Sequence, residues 1–339
     1  MVFHVMVEVN VFVVGFGNVG KELVKLILRE GQKYGIELVG VSASKGSVLV
    51  GGPADKVNLL RLIEKDEKLE RHPSFKPGVG SVEGALLTGA ELAMIVMPPS
   101  YKTGEPNTTI YKALAEAGIS IITADKTVLA RDYKGFMDYA KKRGVYIGYR
   151  ATVAAGTPAI DSAKGLRGRD VLSIRAVLNA SSNYILGLVE KGLSFEEAIK
   201  EAKEAKLLEP DHTVDTHGLD AAAKVTILAN TLGVRVSIDD VDRSPIEEYS
   251  EEEIRKALNE GFRVKQVAFA DLVKRVFKVY PARVSMDDPL YRAEKEGNVI
   301  VFRVENEDIV IEGPAGPAWR TARVMITDVI EYLELREYL

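Results

Sequence analysis

The chain has 339 residues, 46% of them hydrophobic, with Lys+Arg 45 against Asp+Glu 49 and a formal net charge of −4. That length and apolar content suffice for two cores, and the even charge balance without a long basic run argues against a nucleic-acid or polyanion binder. Cys 0 excludes disulfides, thiolate metal sites and a cysteine nucleophile.

Val9–Val14 is apolar or β-branched throughout except for Asn10, as in a strand buried on both faces of a parallel sheet. It leads into Gly15-Phe16-Gly17-Asn18-Val19-Gly20 and then a helix with Val19, Leu23, Val24, Ile27 and Leu28 on one face. A second strand is expected at Ile36–Ser42. Lys45–Gly89 carries weaker signals: a helix near Asn58–Lys68 and loops around Pro73–Gly80. Leu92–Met97 reads as a strand closed by Pro98-Pro99. A helix at Thr108–Ala117, a strand at Ile119–Thr123, a helix at Tyr133–Arg143 and a strand at Val145–Tyr149 follow. Strand and helix alternate, so an α/β class with a doubly wound parallel sheet is expected over residues 1–150.

Beyond Arg150 the pattern changes. Strands at Val171–Asn179, Phe262–Asp271, Arg275–Val284, Val299–Val304 and Asp308–Glu312, with a turn signal at Glu296-Gly297-Asn298, suggest a largely antiparallel sheet in an α+β domain. Ser194 with Glu197 opens a helix through a capping box, and a second helix spans about His217–Leu232. From Thr321 onward, Met325, Ile326, Val329, Ile330 and Leu333 share a helix face. Residues 151–319 are therefore read as a substrate-binding and dimerisation domain, with helix 320–339 returning to complete the first. No apolar stretch reaches the roughly 18 residues of a membrane span, and Met1–Glu8 lacks the pattern of a secretory signal. A cytoplasmic protein with no membrane partner is expected. The chain ends just after its last helix, so no appended regulatory domain or fused kinase is expected.

Gly15-x-Gly17-x-x-Gly20 directly after a buried strand and opening a helix is the dinucleotide fingerprint of a Rossmann-type fold. The glycines allow a tight turn, approach of the pyrophosphate and close helix–strand contact, while the helix N-terminus supplies amide donors. Phe16, Asn18 and Val19 join it as cofactor contacts. The end of the second strand offers Ser42-Ala43-Ser44-Lys45 and no acid for the ribose hydroxyls. A cation and hydroxyls suit a 2′-phosphate, so NADP is the favoured cofactor, through Ser44 and Lys45, with NAD left open. Asp220 and Lys224, four apart on a helix, share a face.

At Ile121-Ile122-Thr123-Ala124-Asp125-Lys126 the chain begins to resemble the homoserine dehydrogenases, where a Thr-Ala-Asn-Lys run ends a strand. The resemblance recurs in Ala151-Thr152-Val153-Ala154-Ala155-Gly156-Thr157-Pro158 and in Asn179-Ala180-Ser181-Ser182-Asn183-Tyr184-Ile185-Leu186. It continues through Glu209-Pro210-Asp211, Asp215 and Gly218-Leu219-Asp220-Ala221-Ala222-Ala223-Lys224, and ends in Gly313-Pro314-Ala315-Gly316 with Thr321-Ala322.

The resemblance implies reversible reduction of L-aspartate 4-semialdehyde to L-homoserine with NAD(P)H, in threonine and methionine biosynthesis. It makes Lys126 and Lys224 the catalytic lysines, either one the proton donor, with Asp220 positioning Lys224. Glu209 and Asp215 would hold the substrate's amino and hydroxyl groups, with Asn179, Tyr184, Gly156 and Thr157 as further substrate contacts. Pro98, Thr123, Lys126 and Gly316 would join the cofactor site. The backbone of Val153, Ala155 and Thr157 would hold a sodium ion, and the chain would form a homodimer.

Arg150 stands where the family's cation-binding Glu is expected, Asp125 replaces the family's Asn beside the nicotinamide, and Ala180, Ser181 and Ala315 replace Gly, Thr and Gly. Aspartate-semialdehyde dehydrogenase, which handles the same metabolite, needs a thiol and is excluded by Cys 0. A relative that binds NADP without turnover, and another amino-acid or keto-acid dehydrogenase on the same fold, remain the alternatives.

Overall fold

A computed structural model describes residues 8–205, 207–208 and 211–337. The chain divides into two units, Met1–Thr152 with Gly316–Leu339, and Val153–Ala315. In the first, the elements run β1 (Val9–Val14), α1 (Asn18–Glu30), β2 (Ile36–Ala43), β3 (Gly46–Leu49), α2 (Pro53–Glu64), β4 (Phe75–Pro77), α3 (Ser81–Leu87), β5 (Leu92–Ile95), α4 (Asn107–Glu116), β6 (Ser120–Thr123), α5 (Thr127–Lys142) and β7 (Ile147–Gly148). In the second they run α6 (Ala159–Gly165), β8 (Val171–Val177), α7 (Ala180–Glu190), α8 (Phe195–Glu204), α9 (Thr213–Thr216), α10 (Leu219–Thr231), β9 (Asp242–Arg243), α11 (Glu251–Asn259), β10 (Phe262–Asp271), β11 (Val276–Ser285), β12 (Gly297–Val304) and β13 (Glu307–Pro314). The last helix, α12 (Ala318–Glu337), belongs to the first unit.

Continuous apolarity in β1 reflects burial on both faces. Val9, Val11 and Val13 join a core with Leu23, Val24 and Ile27 of α1, while Phe12 and Val14 are buried on the other side. The stripe Met325, Ile326, Val329 and Leu333 of α12 enters this same core, which is why the chain returns here for its final helix. The sheet order is β4-β3-β2-β1-β5-β6-β7. Strands β2, β1, β5, β6 and β7 are parallel, as the alternation of strand and helix requires; β3 and β4 are an antiparallel extension. Order reverses between β1 and β5, so the carboxyl ends of these two strands form the crevice where open α/β sheets take ligands.

The poorly patterned region after Lys45 becomes β3, α2 and the short strand β4, with the helix starting earlier than expected because Pro53 occupies its first turn. The fifth helix starts at Thr127 rather than Tyr133. It breaks at Asp132 (φ −147°, ψ 66°), whose carboxylate accepts from the Gly135 N–H at 2.9 Å and so restarts the helix at the point the pattern indicates.

The second unit has a six-stranded sheet, β13-β12-β8-β10-β11-β9, antiparallel except where β9 joins β11. A core of Ile185, Leu186, Val189, Ala198, Ile254 and Val264 links α7, α8 and α11 to β10. The Ser194 capping box forms as expected.

Candidate active site

The first unit's site is made of backbone. Gly15 has φ +115°, and a Cβ there would meet the Val96 carbonyl at 2.8 Å; a Cβ on Gly20 would meet the Gly15 carbonyl at 2.2 Å. Both glycines are therefore fixed by the turn itself and by the seating of α1 on β1. Gly17 differs: a Cβ there meets nothing within 4 Å. It stands at the N-terminus of α1 with no side-chain cap and no acidic residue in the first turn. Exposed Gly17 and Asn18 thus leave the amides and positive end of a 13-residue helix open to an anion. This space is a cradle that a Cβ would fill, and it fits a dinucleotide pyrophosphate.

The second strand ends in a two-residue hairpin turn, Ser44-Lys45, between β2 and β3. Ser44 and Lys45 are exposed, and Lys45 Nζ lies 3.8 Å from Glu70 Oε1. Ser42 is buried, its hydroxyl 2.9 Å from that of Ser81. Phe16 is buried with Lys21 over its ring, Val19 is half-buried, and Pro98 is exposed just beyond β5.

Thr123 is fully buried, its hydroxyl bonded to Tyr111 and to backbone at Ile95 and Asp125, so its side chain braces the end of β6. Asp125 is also turned inward, 2% exposed. Burial pushes its carboxyl above the ordinary carboxylate range, against bonds from Thr127 and Asn107 that act the other way. Lys126, between them and α5, is half-buried at the cap position of that helix.

Arg150 is bonded to the last helix. Its guanidinium bonds to Asp328 Oδ1 at 2.6 Å and to Glu331 of α12, and its N–H donates to Asp328 Oδ2 at 3.0 Å. Buried Asp328, 0% exposed, finds its counter-charge here. Gly316 lies in the segment leading into α12.

The second unit's site is made of side chains. Asn179 caps α7, its Oδ1 accepting from the Ser182 N–H at 2.7 Å. Its Nδ2 donates to Asp215 Oδ1 at 2.8 Å and to Asp220 Oδ2 at 3.0 Å, so one amide joins two carboxylates. Asp220 also pairs with Lys224 at 2.7 Å, and Lys224 Nζ donates to the Leu178 carbonyl at 2.7 Å. The i,i+4 pair is 15% and 16% exposed, more sheltered than an ordinary solvated helix pair. Gly218 (φ +73°) sets the approach of α10, since a Cβ there would meet Val279 at 2.6 Å.

Gln266 of β10 is a member that sequence reasoning missed. Its Nε2 donates to the Asp215 carbonyl at 2.9 Å and its Oε1 accepts from Ser182 Oγ at 3.1 Å. The available signal was the polar pair Lys265-Gln266 in the middle of a strand whose other charged residues, Arg263 and Asp271, sit near its ends.

Tyr184 is placed elsewhere: its hydroxyl donates to Glu201 at 3.0 Å and its ring packs with the α7–α8 core. Thr157 is buried, bonding the Pro314 carbonyl at 3.3 Å, beside half-buried Gly156. Glu209 lies outside the described residues. At the expected sodium site, the Thr157 carbonyl already accepts from the Ala159 N–H at 2.7 Å, and Ala154, between Val153 and Ala155, has φ +50°. The carboxylate expected at position 150 is a guanidinium. Among the described residues no group of three or more His, Asp or Glu side chains could hold a metal. These residues do not fit a cation. No described helix is long and apolar enough to cross a membrane.

A family model described as homoserine dehydrogenase matches residues 158–330. The homoserine dehydrogenase of Sulfurisphaera tokodaii is 34% identical over 322 residues, covering 93% of this chain and 96% of that one. That of Methanocaldococcus jannaschii is 32% identical over 332 residues, covering 95% and 97%. A solved hyperthermophilic archaeal homoserine dehydrogenase in complex with NADPH superposes with a TM-score of 0.82 at 29% identity, covering 97% of this chain and 98% of that one.

Proposed function

The chain belongs to the homoserine dehydrogenase family, and on that premise we propose that it interconverts L-aspartate 4-semialdehyde and L-homoserine with NADP(H), or with NAD(H) at lower preference. The observation that carries this is the Asp215–Asn179–Asp220–Lys224 cluster, which supplies what a substrate bearing an ammonium and a carbonyl requires.

The bound nicotinamide supplies or accepts the hydride. Gly15, Gly17, Asn18 and Gly20 would hold the pyrophosphate at the start of α1, and Ser44 and Lys45 would meet the 2′-phosphate. Asp215, one oxygen already fixed by Asn179, offers its carboxylate to the substrate ammonium, with Glu209 as the second acid. Asp220 holds Lys224 Nζ in one orientation. As the carbonyl carbon gains hydride, its oxygen gains a proton from a lysine ammonium, Lys224 or Lys126, and the neutral amine is reprotonated from solvent. Positive charge near the developing alkoxide also lowers the barrier.

No step is assigned to a monovalent cation, because Arg150 is tied to Asp328 and Glu331. Replacing sodium by tetramethylammonium leaves turnover unchanged on this reading; loss of activity would restore the ion. A homodimer belongs to the same proposal, supported by β13 at the edge of its sheet with Ile309, Val310 and Ile311 only half-buried. Sedimentation at a dimer's mass is expected, and a monomer would contradict it.

The direct test mixes the protein with L-homoserine and NADP or NAD and follows reduced nicotinamide. Turnover, faster with NADP, is expected. NADPH binding with no turnover of either homoserine or the semialdehyde would favour the non-catalytic relative.

A further inference from the structure

Asp125 lies just beyond the end of β6, yet its carboxylate faces the interior and all its lone-pair directions are used. Oδ1 accepts from the Thr127 N–H at 3.0 Å and the Thr127 hydroxyl at 2.7 Å. Oδ2 accepts from Asn107 Nδ2 at 2.9 Å and the Tyr111 hydroxyl at 3.2 Å. The partners carry the connection outward. Asn107 Nδ2 also donates to the Pro98 carbonyl at 3.1 Å, and the Ser100 N–H donates to Thr127 Oγ1 at 2.8 Å. One carboxylate thus ties together the loop after β5, the first turns of α4, and the β6–α5 turn that carries Lys126.

We infer that Asp125 is a positioning residue that fixes Lys126 and the Pro98 loop for hydride transfer, with Asn107 as its matched partner. This rests on the reading of Lys126 as part of the homoserine dehydrogenase machinery. The chemistry of the four donors calls for an acid. A backbone N–H and an amide NH2 cannot accept, so an asparagine at 125 turns its own NH2 toward the Asn107 NH2 whenever its oxygen keeps Thr127. Turning the Asn107 amide over to present its oxygen gives up the bond to Pro98. A buried donor facing a donor is relieved by movement, and the segments bonded into this network are the ones carrying Pro98 and Lys126. The acid at 125 and the amide at 107 therefore belong together, which gives the departure from the family's Asn a physical reason: in this chain the residue reads the protein interior, not the cofactor.

The test compares wild type with Asp125→Asn and Thr127→Val. It measures kcat with aspartate semialdehyde, NADPH affinity by fluorescence titration, thermal midpoint, and the isotope effect from a cofactor deuterated at the transferring position. Asp125→Asn is expected to lower kcat about 10- to 100-fold, to leave NADPH affinity within about 3-fold, and to raise the isotope effect as hydride transfer becomes limiting. Thr127→Val, which keeps the backbone donor, is expected to move kcat and the isotope effect the same way by less. If Asp125→Asn fails to fold, Thr127→Val carries the test alone. An unchanged kcat, or a loss that follows the thermal midpoint with an unaltered isotope effect, overturns the inference. Absence of turnover in wild type would instead overturn the functional reading beneath it.

Discussion

At the start of α1 the protein presents backbone and open space; around Asn179 it presents side chains already bonded to one another. The first arrangement asks almost nothing of side-chain chemistry. It asks for a glycine where a Cβ would strike the Val96 carbonyl, a glycine where it would strike the Gly15 carbonyl, and a glycine where it would strike nothing. The second needs particular functional groups from α7, α9, α10 and β10 to meet, with one amide serving as helix cap and as donor to two acids. A site that binds a common cofactor can be built from the main chain, whereas discrimination among small amino-acid derivatives needs placed charges.

The largest expected effect lies in the side-chain site. Lys224→Ala should lower kcat by about 10²- to 10⁴-fold while NADPH still binds in a fluorescence titration. Retained turnover would leave Lys126 as the sole proton donor.

The backbone site is best tested by a pair. Gly17→Ala adds a methyl where the protein has room, so thermal stability should hold while NADPH affinity falls about 10-fold. Gly20→Ala forces a Cβ to 2.2 Å from the Gly15 carbonyl, and should cost about 1–3 kcal/mol of stability in denaturant unfolding. Equal effects of the two on stability would mean that Gly17, too, is a structural glycine.

A pH test separates the two regions further. Lys265, beside Gln266 on β10, is 3% exposed and donates to Asn183 Oδ1 at 2.7 Å and the Ala293 carbonyl at 2.6 Å. Burial, with Arg263 nearby, brings its pKa down to about 8. An unfolded lysine stays protonated to about pH 10.4, so between these values the unfolded chain binds more protons and this group's contribution to stability rises with pH. Relative to Lys265→Gln, wild type should gain about 1 kcal/mol per pH unit across that window in denaturant titrations. A flat or falling difference would contradict it.

The smallest effect is at the exposed turn. Lys45→Ala should reduce the preference for NADP over NAD only about 2- to 5-fold, because Lys45 is largely solvated and already near Glu70. A larger loss in the ratio of kcat/KM values would make this lysine the main phosphate ligand.

The same contrast explains what could be read from the sequence. Chain-order logic found the parallel sheet because a strand buried on both faces and a glycine turn are local patterns, as Val9–Gly20 shows. The stripe Met325–Leu333 announced the return of α12 because helical periodicity is local too. Ser44-Lys45 was legible as a loop but not as a hairpin, since the short strand Gly46–Leu49 has no alternation of its own and is defined by its partners. Asp220 and Lys224 were visible as a spaced pair, yet Asn179 reached them only through the family resemblance. Gln266 showed locally only as half of a polar pair within a strand, and its partner Ser182 lies 84 residues away. Inward-facing Asp125 and Thr123 could not be told from cofactor contacts, because direction at a strand end is set by packing around α4, which the motif does not contain.

The central claim is that the Asn179–Asp215–Asp220–Lys224 cluster recognises a substrate that carries an ammonium group. The most direct measurement is the ratio of kcat/KM, with NADPH, for aspartate semialdehyde and for succinate semialdehyde, the same aldehyde without the amine. A site built to pair that charge should favour the first by at least about 100-fold, and Asp215→Asn should shrink the ratio. Comparable turnover of the two aldehydes would contradict the claim and leave the cluster without a role in substrate recognition.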